Sequence, residues 1–87
     1  MRKRERELIL GHATLLETPK LRMMRNGDRF ASAKAEVSSL AGEALIERLR
    51  ASGATFATLS SCDAGDRLVI DAQRIQTGLD VFRIEKL

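Results

Sequence analysis

The stretch Glu36 to Gly53, "EVSSLAGEALIERLRASG", decides how this chain is read, because it holds the most clearly bounded apolar pattern in the sequence. Leu40, Ala41, Ala44, Leu45, Ile46 and Leu49 recur at the three- and four-residue spacing of a helix face. Ser38 and Ser39 are residue types whose hydroxyls accept from the free N–H groups at a helix start, and Gly53 is the type that takes the left-handed turn after a helix end. The spacing predicts a helix from Leu40 to Ser52.

Upstream, Asp28 is placed to cap a short helix over "RFASAKAE", with Phe30 and Ala33 or Ala35 as its buried positions. Before it, Thr18-Pro19 reads as an N-cap followed by proline at the first helical position, so "PKLRMMRN" is expected to be helical and to end in a turn at Asn26-Gly27. From Arg2 to Glu17 the apolar pattern is mixed, and the helix formers in "RKRERE" tip the reading towards helix. Downstream of Gly53 the residue types change. "ATFATLSS" and "RLVIDAQRI" are rich in Thr, Val, Ile and Leu, with "CDAGD" as a turn between them; "QTGLD" is a further turn and "VFRIEKL" a last short strand. The expected fold class is α+β: one small domain, 1–87, with amino-terminal helices followed by a short antiparallel hairpin or three-stranded sheet, and a basic arm at 1–6.

Composition limits what such a domain can do. With 87 residues there is room for one core, and with three Phe and no Trp or Tyr that core must be filled by aliphatic side chains. The net charge is +3, and "MRKRERE" places four of the basic residues in the first six positions, which suits an anionic partner. The single cysteine, Cys62, cannot form an internal disulfide, and no apolar run is long enough for a secretory signal or a membrane span, so a reducing, cytoplasmic setting without membrane contact is expected. His12 is the only histidine, Cys62 has an acidic neighbour in Asp63, and "DAGD" lacks calcium-loop spacing. No catalytic set, metal site or cofactor is therefore expected, and the protein is not read as an enzyme.

In helix-turn-helix register, "FASAKAEVSSLAGEALIERLRASG" places Ala31 to Ala35 in a first helix, Glu36-Val37-Ser38 in the turn and Leu40 to Ser52 in a second helix, followed by a two-stranded wing. Over about residues 31–75 this resembles the winged helix-turn-helix family. The resemblance implies a small regulator or accessory factor that binds double-stranded DNA. Ser38 and Ser39 would approach the backbone at the start of the second helix, and Glu43 would face the groove. Arg2, Lys3, Arg4, Lys34, Arg48 and Arg50 would contact phosphates. A second resemblance lies in "LIERLRASGATF" with "GDRLVIDA", which looks like the small αββ docking modules of multienzyme synthases. It implies a protein partner added at the hairpin edge and no nucleic acid. Homodimerisation is open under either reading.

Overall fold

The computed structural model describes residues 7–40, 42 and 44–87, and its regular structure is almost all strand. The strands are β1 (Leu8–Leu15), β2 (Lys20–Met23), β3 (Arg29–Ser39), β4 (Ala44–Ser52), β5 (Arg67–Ile75) and β6 (Gly78–Lys86). A 3-10 turn at Gly53–Thr55 runs into the short helix α1 (Phe56–Ser60). The sheet order is β1-β5-β6-β4-β3-β2, and β1 also pairs with β3. That extra pairing closes five strands into a barrel and leaves β2 as a flap on the outer edge of β3.

Period-two alternation explains why β3 is a strand. Ala31, Ala33, Ala35 and Val37 are buried, while Lys34, Glu36 and Ser38 between them are exposed. In β4 the same alternation puts Leu49 and Ala51 in the core and Arg48 and Arg50 on the outside. A five-stranded barrel has a narrow interior, and the alanines of β3, with Ala13, Ala51 and Ala72, are the side chains that fit where strands pass close together. Leu15, Leu49, Leu59, Leu68, Ile70 and Leu79 supply the bulk of the core.

Two close approaches depend on glycine. Gly11 pairs with Ser39 on β3 and with Ile70 on β5, at the point where the ladder to β3 begins while the ladder to β5 continues. A Cβ there would land on the Ser38 carbonyl and lie 2.9 Å from the Ser39 Cα. Gly78 opens β6, which runs parallel to β4 through Leu49↔Leu79 and Arg50↔Asp80, and a Cβ at Gly78 would meet the Arg48 carbonyl. Later in β6 the register against β5 steps from Ala72↔Val81 to Asp71↔Arg83, so Phe82 is the extra residue of a bulge. The bulge turns Phe82 out to solvent and shifts the inward phase from Val81 to Ile84.

These elements overturn the α+β expectation. The Arg2 to Glu17 segment read as helix contains β1, "RFASAKAE" lies in β3, the Leu40 to Ser52 segment read as the second helix of the motif carries β4, and "PKLRMMRN" supplies β2. The stripe assigned to one helix face splits: Leu49 is fully buried, whereas Leu45 is 48% and Ile46 65% exposed. "ATFATLSS", read as a strand, is instead the helical turn, with Leu59 facing the core. The Thr55 hydroxyl lies 3.1 Å from both the Ser52 and Val81 carbonyls and ties this turn to β4 and β6. The winged helix-turn-helix resemblance and the αββ docking resemblance fail together, because each needs a helix where the ladder of β3 and β4 runs unbroken from Phe30↔Ser52 to Ser38↔Ala44. The turn at Asn26-Gly27 and the strand at "RLVIDAQRI" stand as read, while the last strand begins earlier than "VFRIEKL", at Gly78, and takes in most of "QTGLD". The proposed basic arm at 1–6 lies outside the described residues.

Beyond α1, the Asp66 side chain accepts from the Asp63 backbone N–H at 2.8 Å and lies 3.4 Å from the Lys86 ammonium. The hydrogen bond from Asp63, helped by Lys86, holds the Asp66 carboxyl below its ordinary value. A depressed folded value means a contribution to stability that is present above the ordinary carboxylate range and is lost as the pH falls through the folded value. Asp66→Asn should therefore flatten the acid limb of a plot of unfolding midpoint against pH. An unchanged limb would show that this turn is not linked to proton uptake.

Candidate functional site

Across β2, β3 and β4 the outward positions fall into rows: Lys20 beside Ser32 beside Arg50, Arg22 beside Phe30 beside Ser52, and Lys34 beside Arg48. This is a consequence of alternation, which sends every second residue of three adjacent strands to one side. The face carries Lys20, Arg22, Lys34, Arg48 and Arg50 against the carboxylates of Glu17 and Glu36, so it is cationic.

At its centre is an open cavity of about 430 Å³ lined by Arg22, Phe30, Ser32, Arg48 and Arg50, with Ile75 and Thr77 of the β5–β6 turn on its rim. The Arg50 guanidinium lies 4.4 Å from the centre of the Phe30 ring, a cation over an aromatic face. Arg48 donates to the Ser32 hydroxyl at 3.2 Å and sits 3.7 Å from Glu17, whose carboxylate also accepts the Lys34 backbone N–H at 3.0 Å. Ser32 is buried and Glu17 partly exposed, and the Arg48 side chain itself remains 44% exposed. Guanidinium groups bind phosphate or carboxylate oxygens through paired N–H donors, and their flat faces also stack on rings. The surface is thus suited to a flexible polyanion that carries flat rings.

The opposite end of the barrel differs in its chemistry. A cavity of about 290 Å³ there is lined by Leu8, Leu10, Leu40 and Leu45, and its arginine is already engaged. Arg74 donates to both Glu47 oxygens, at 3.3 and 2.9 Å, and to Glu7 at 3.0 Å. Hydrogen bonds donated to Glu47 first and Glu7 second push the Arg74 guanidinium above its ordinary value, so its charge is compensated by described carboxylates. Cys62 is buried beneath α1, its thiol donating to the Thr58 carbonyl at 3.1 Å, and burial pushes that thiol up.

Of the residues singled out from sequence, Lys34, Ser38, Arg48 and Arg50 share the outer face. Ser39 does not, since it lines the apolar cavity at the far end with Leu40. Arg2, Lys3, Arg4 and Glu43 lie outside the described residues. Sequence reasoning missed Lys20, Arg22, Phe30 and Ser32. The signal for them was present in "KLRM" and "RFASAK", where polar and apolar residues alternate, but it was assigned to helices.

No protein-family model matches the chain, and no curated protein matches it in sequence. Solved structures do. A small single-stranded DNA-binding protein from Streptomyces coelicolor superposes with a TM-score of 0.76 at 18% identity, covering 98% of this chain and 96% of that one. The barrel is an OB-fold. A mitochondrial single-stranded DNA-binding protein from S. cerevisiae has the same fold, with a TM-score of 0.70 at 12% identity over 99% of this chain and 97% of that one. A deletion mutant of the single-stranded DNA-binding protein from Thermus aquaticus gives 0.65 at 12% identity, covering 92% of this chain and 49% of its own. These likenesses remove the winged helix-turn-helix family and the transcriptional regulation it implied. In the OB-fold the helix lies between the third and fourth barrel strands, here β4 and β5, and the face around the second and third strands, here β3 and β4, is where oligonucleotides and oligosaccharides bind in this architecture. No helix among the described residues is long and apolar enough to cross a membrane.

Proposed function

We propose that this protein binds single-stranded DNA across the outer face of β2, β3 and β4. The observation that carries the reading is the Arg50–Phe30 stack set between Arg22 and Arg48, on the face that OB-folds use for oligonucleotides. The solved structures of this fold described above are of single-stranded DNA-binding proteins, which supports the same class of ligand. Phosphates would lie against Arg22, Lys34 and Arg48, and a base would stack on the flat face of Arg50 above Phe30.

Duplex DNA suits this surface less well. Base reading in a duplex needs a helix or a β-ribbon inside a groove, and α1 is five residues long, lacks basic residues and packs on the barrel end. Stacking on Arg50 and Phe30 requires a base that is not already stacked and paired. Sugar recognition, the other use of this face, draws no benefit from a row of cations.

Titration of labelled oligothymidylate and of a hairpin duplex, each at several salt concentrations, tests the reading. Tighter binding of the single strand is expected, with a slope of log K against log salt of about −0.7 for each phosphate neutralised, hence roughly −2 to −3.5 for three to five contacts. Equal or tighter binding of the duplex, or no binding of the single strand at low salt, would overturn it.

A further inference from the structure

We propose that a strand bound on the outer face continues around the end of the sheet into a second stacking groove, between the β2–β3 turn and α1, with Arg29 and Phe56 as its platform. The inference rests on the single-strand reading of the outer face, and extends it to a part of the surface that the reading does not use.

The groove has a volume of about 520 Å³ and is lined by Met24, Asp28, Arg29, Ser52, Gly53 and Phe56. It abuts the outer face through the backbone. Arg29 and Phe30 are consecutive on β3 and so project to opposite sides, Phe30 under Arg50 and Arg29 over Phe56. Ser52, which lines the groove, is the register partner of Phe30. A chain leaving the Arg50–Phe30 stack therefore meets the groove without crossing another element.

The groove repeats the chemistry of the first platform. The Arg29 guanidinium lies 5.8 Å from the centre of the Phe56 ring, which is half-buried against the core and held by it. Arg29 is exposed and makes no ion pair among the described residues, so its charge faces solvent beside a flat surface. Gly53 has φ +61 and open space where a side chain would stand, which keeps the entrance beside Phe56 clear. Asp28 is the one carboxylate of the lining, and it is engaged within its own turn, accepting from the Asn26 side-chain amide at 3.1 Å. A cation over an aromatic ring, contiguous with a cationic face, fits the next stretch of the same polyanion.

The test is the length dependence of binding, measured by fluorescence anisotropy with labelled oligothymidylates of about 4 to 16 nucleotides, the span of site sizes for one such barrel. Arg29→Gln and Phe56→Leu should each weaken the longest oligomer by on the order of tenfold, the worth of one base stack, and change the shortest by less than about twofold. Arg29→Gln should also make the salt slope shallower by about 0.7 on the longest oligomer only. Arg48→Gln, on the outer face, should weaken every length. Equal losses at all lengths, or none at the longest, would overturn the groove while leaving the outer face intact. Failure of the wild-type protein to bind any length would remove both. Phe56 packs on the core, so if Phe56→Leu unfolds the protein, Arg29→Gln decides the question alone.

Discussion

Alanine at position 11 is expected to lower the unfolding free energy by about 3 kcal/mol or more, a large part of what a domain of this size possesses. Gly11 is the first residue of β1 held by both neighbours, with Ser39 of β3 on one side and Ile70 of β5 on the other. The barrel is closed by these two ladders, and a methyl group at position 11 would stand on the Ser38 carbonyl, a backbone atom that cannot rotate away. Relief comes only from separating β1 from β3, which breaks the Ala13↔Val37 and Leu15↔Ala35 pairs that seal the core. His12→Ala is the control: the neighbouring residue is exposed, and its loss should change stability by less than about 0.5 kcal/mol. Urea midpoints of the two variants measure the difference. A loss at Gly11→Ala below about 1 kcal/mol would mean that the closure is looser than the ladders imply.

The double variant Arg48→Gln with Arg50→Gln is expected to weaken single-strand binding by on the order of a hundredfold near 0.1 M salt. Two phosphate contacts at about 0.7 each make the salt slope shallower by roughly 1.4, and the base stacked on Arg50 loses its platform. The two residues act differently. Arg48 is steered by Ser32 and Glu17 and serves as a positioned charge, whereas Arg50 lies flat on Phe30 and serves as a stacking surface as well. Arg50→Lys should accordingly retain most of the slope and lose affinity, because an ammonium keeps the charge without the plane. Urea midpoints should move little, since the two head groups contribute to the surface rather than to the core. An unchanged slope in the double variant would take β4 out of the interface.

The misreading of Glu36–Gly53 has a definite cause. Leu45, Ile46 and Leu49 satisfy a helical spacing, but Leu45, Leu49 and Ala51 also fall on one side at a period of two, with Glu47 the one polar residue in that row, and a nine-residue window cannot separate the periods by itself. Intrinsic preference favoured the wrong one, since Ala, Leu, Glu and Arg are helix formers. The same holds in β3, where alanine fills the inward positions because the barrel is narrow. Alanine chosen for its small volume is indistinguishable, in one sequence, from alanine chosen for helix propensity.

By itself the sequence determined what local chemistry can specify: one small aliphatic core, a basic balance, turns at Asn26-Gly27 and at Gln76-Thr77, the strand from Arg67 to Ile75, and Arg48, Arg50 and Lys34 as candidate anion contacts. Tertiary structure alone decided the rest. Pairing of β1 with both β3 and β5 is a long-range event, and it overrode helix propensity because closing the barrel satisfies the strand edges and buries Ala13, Leu15, Leu49, Leu68 and Leu79 together. Closure also assembled the interface. Arg22, Phe30 and Arg50 come from three strands, and only cross-strand register, which no local pattern encodes, sets them side by side on one face.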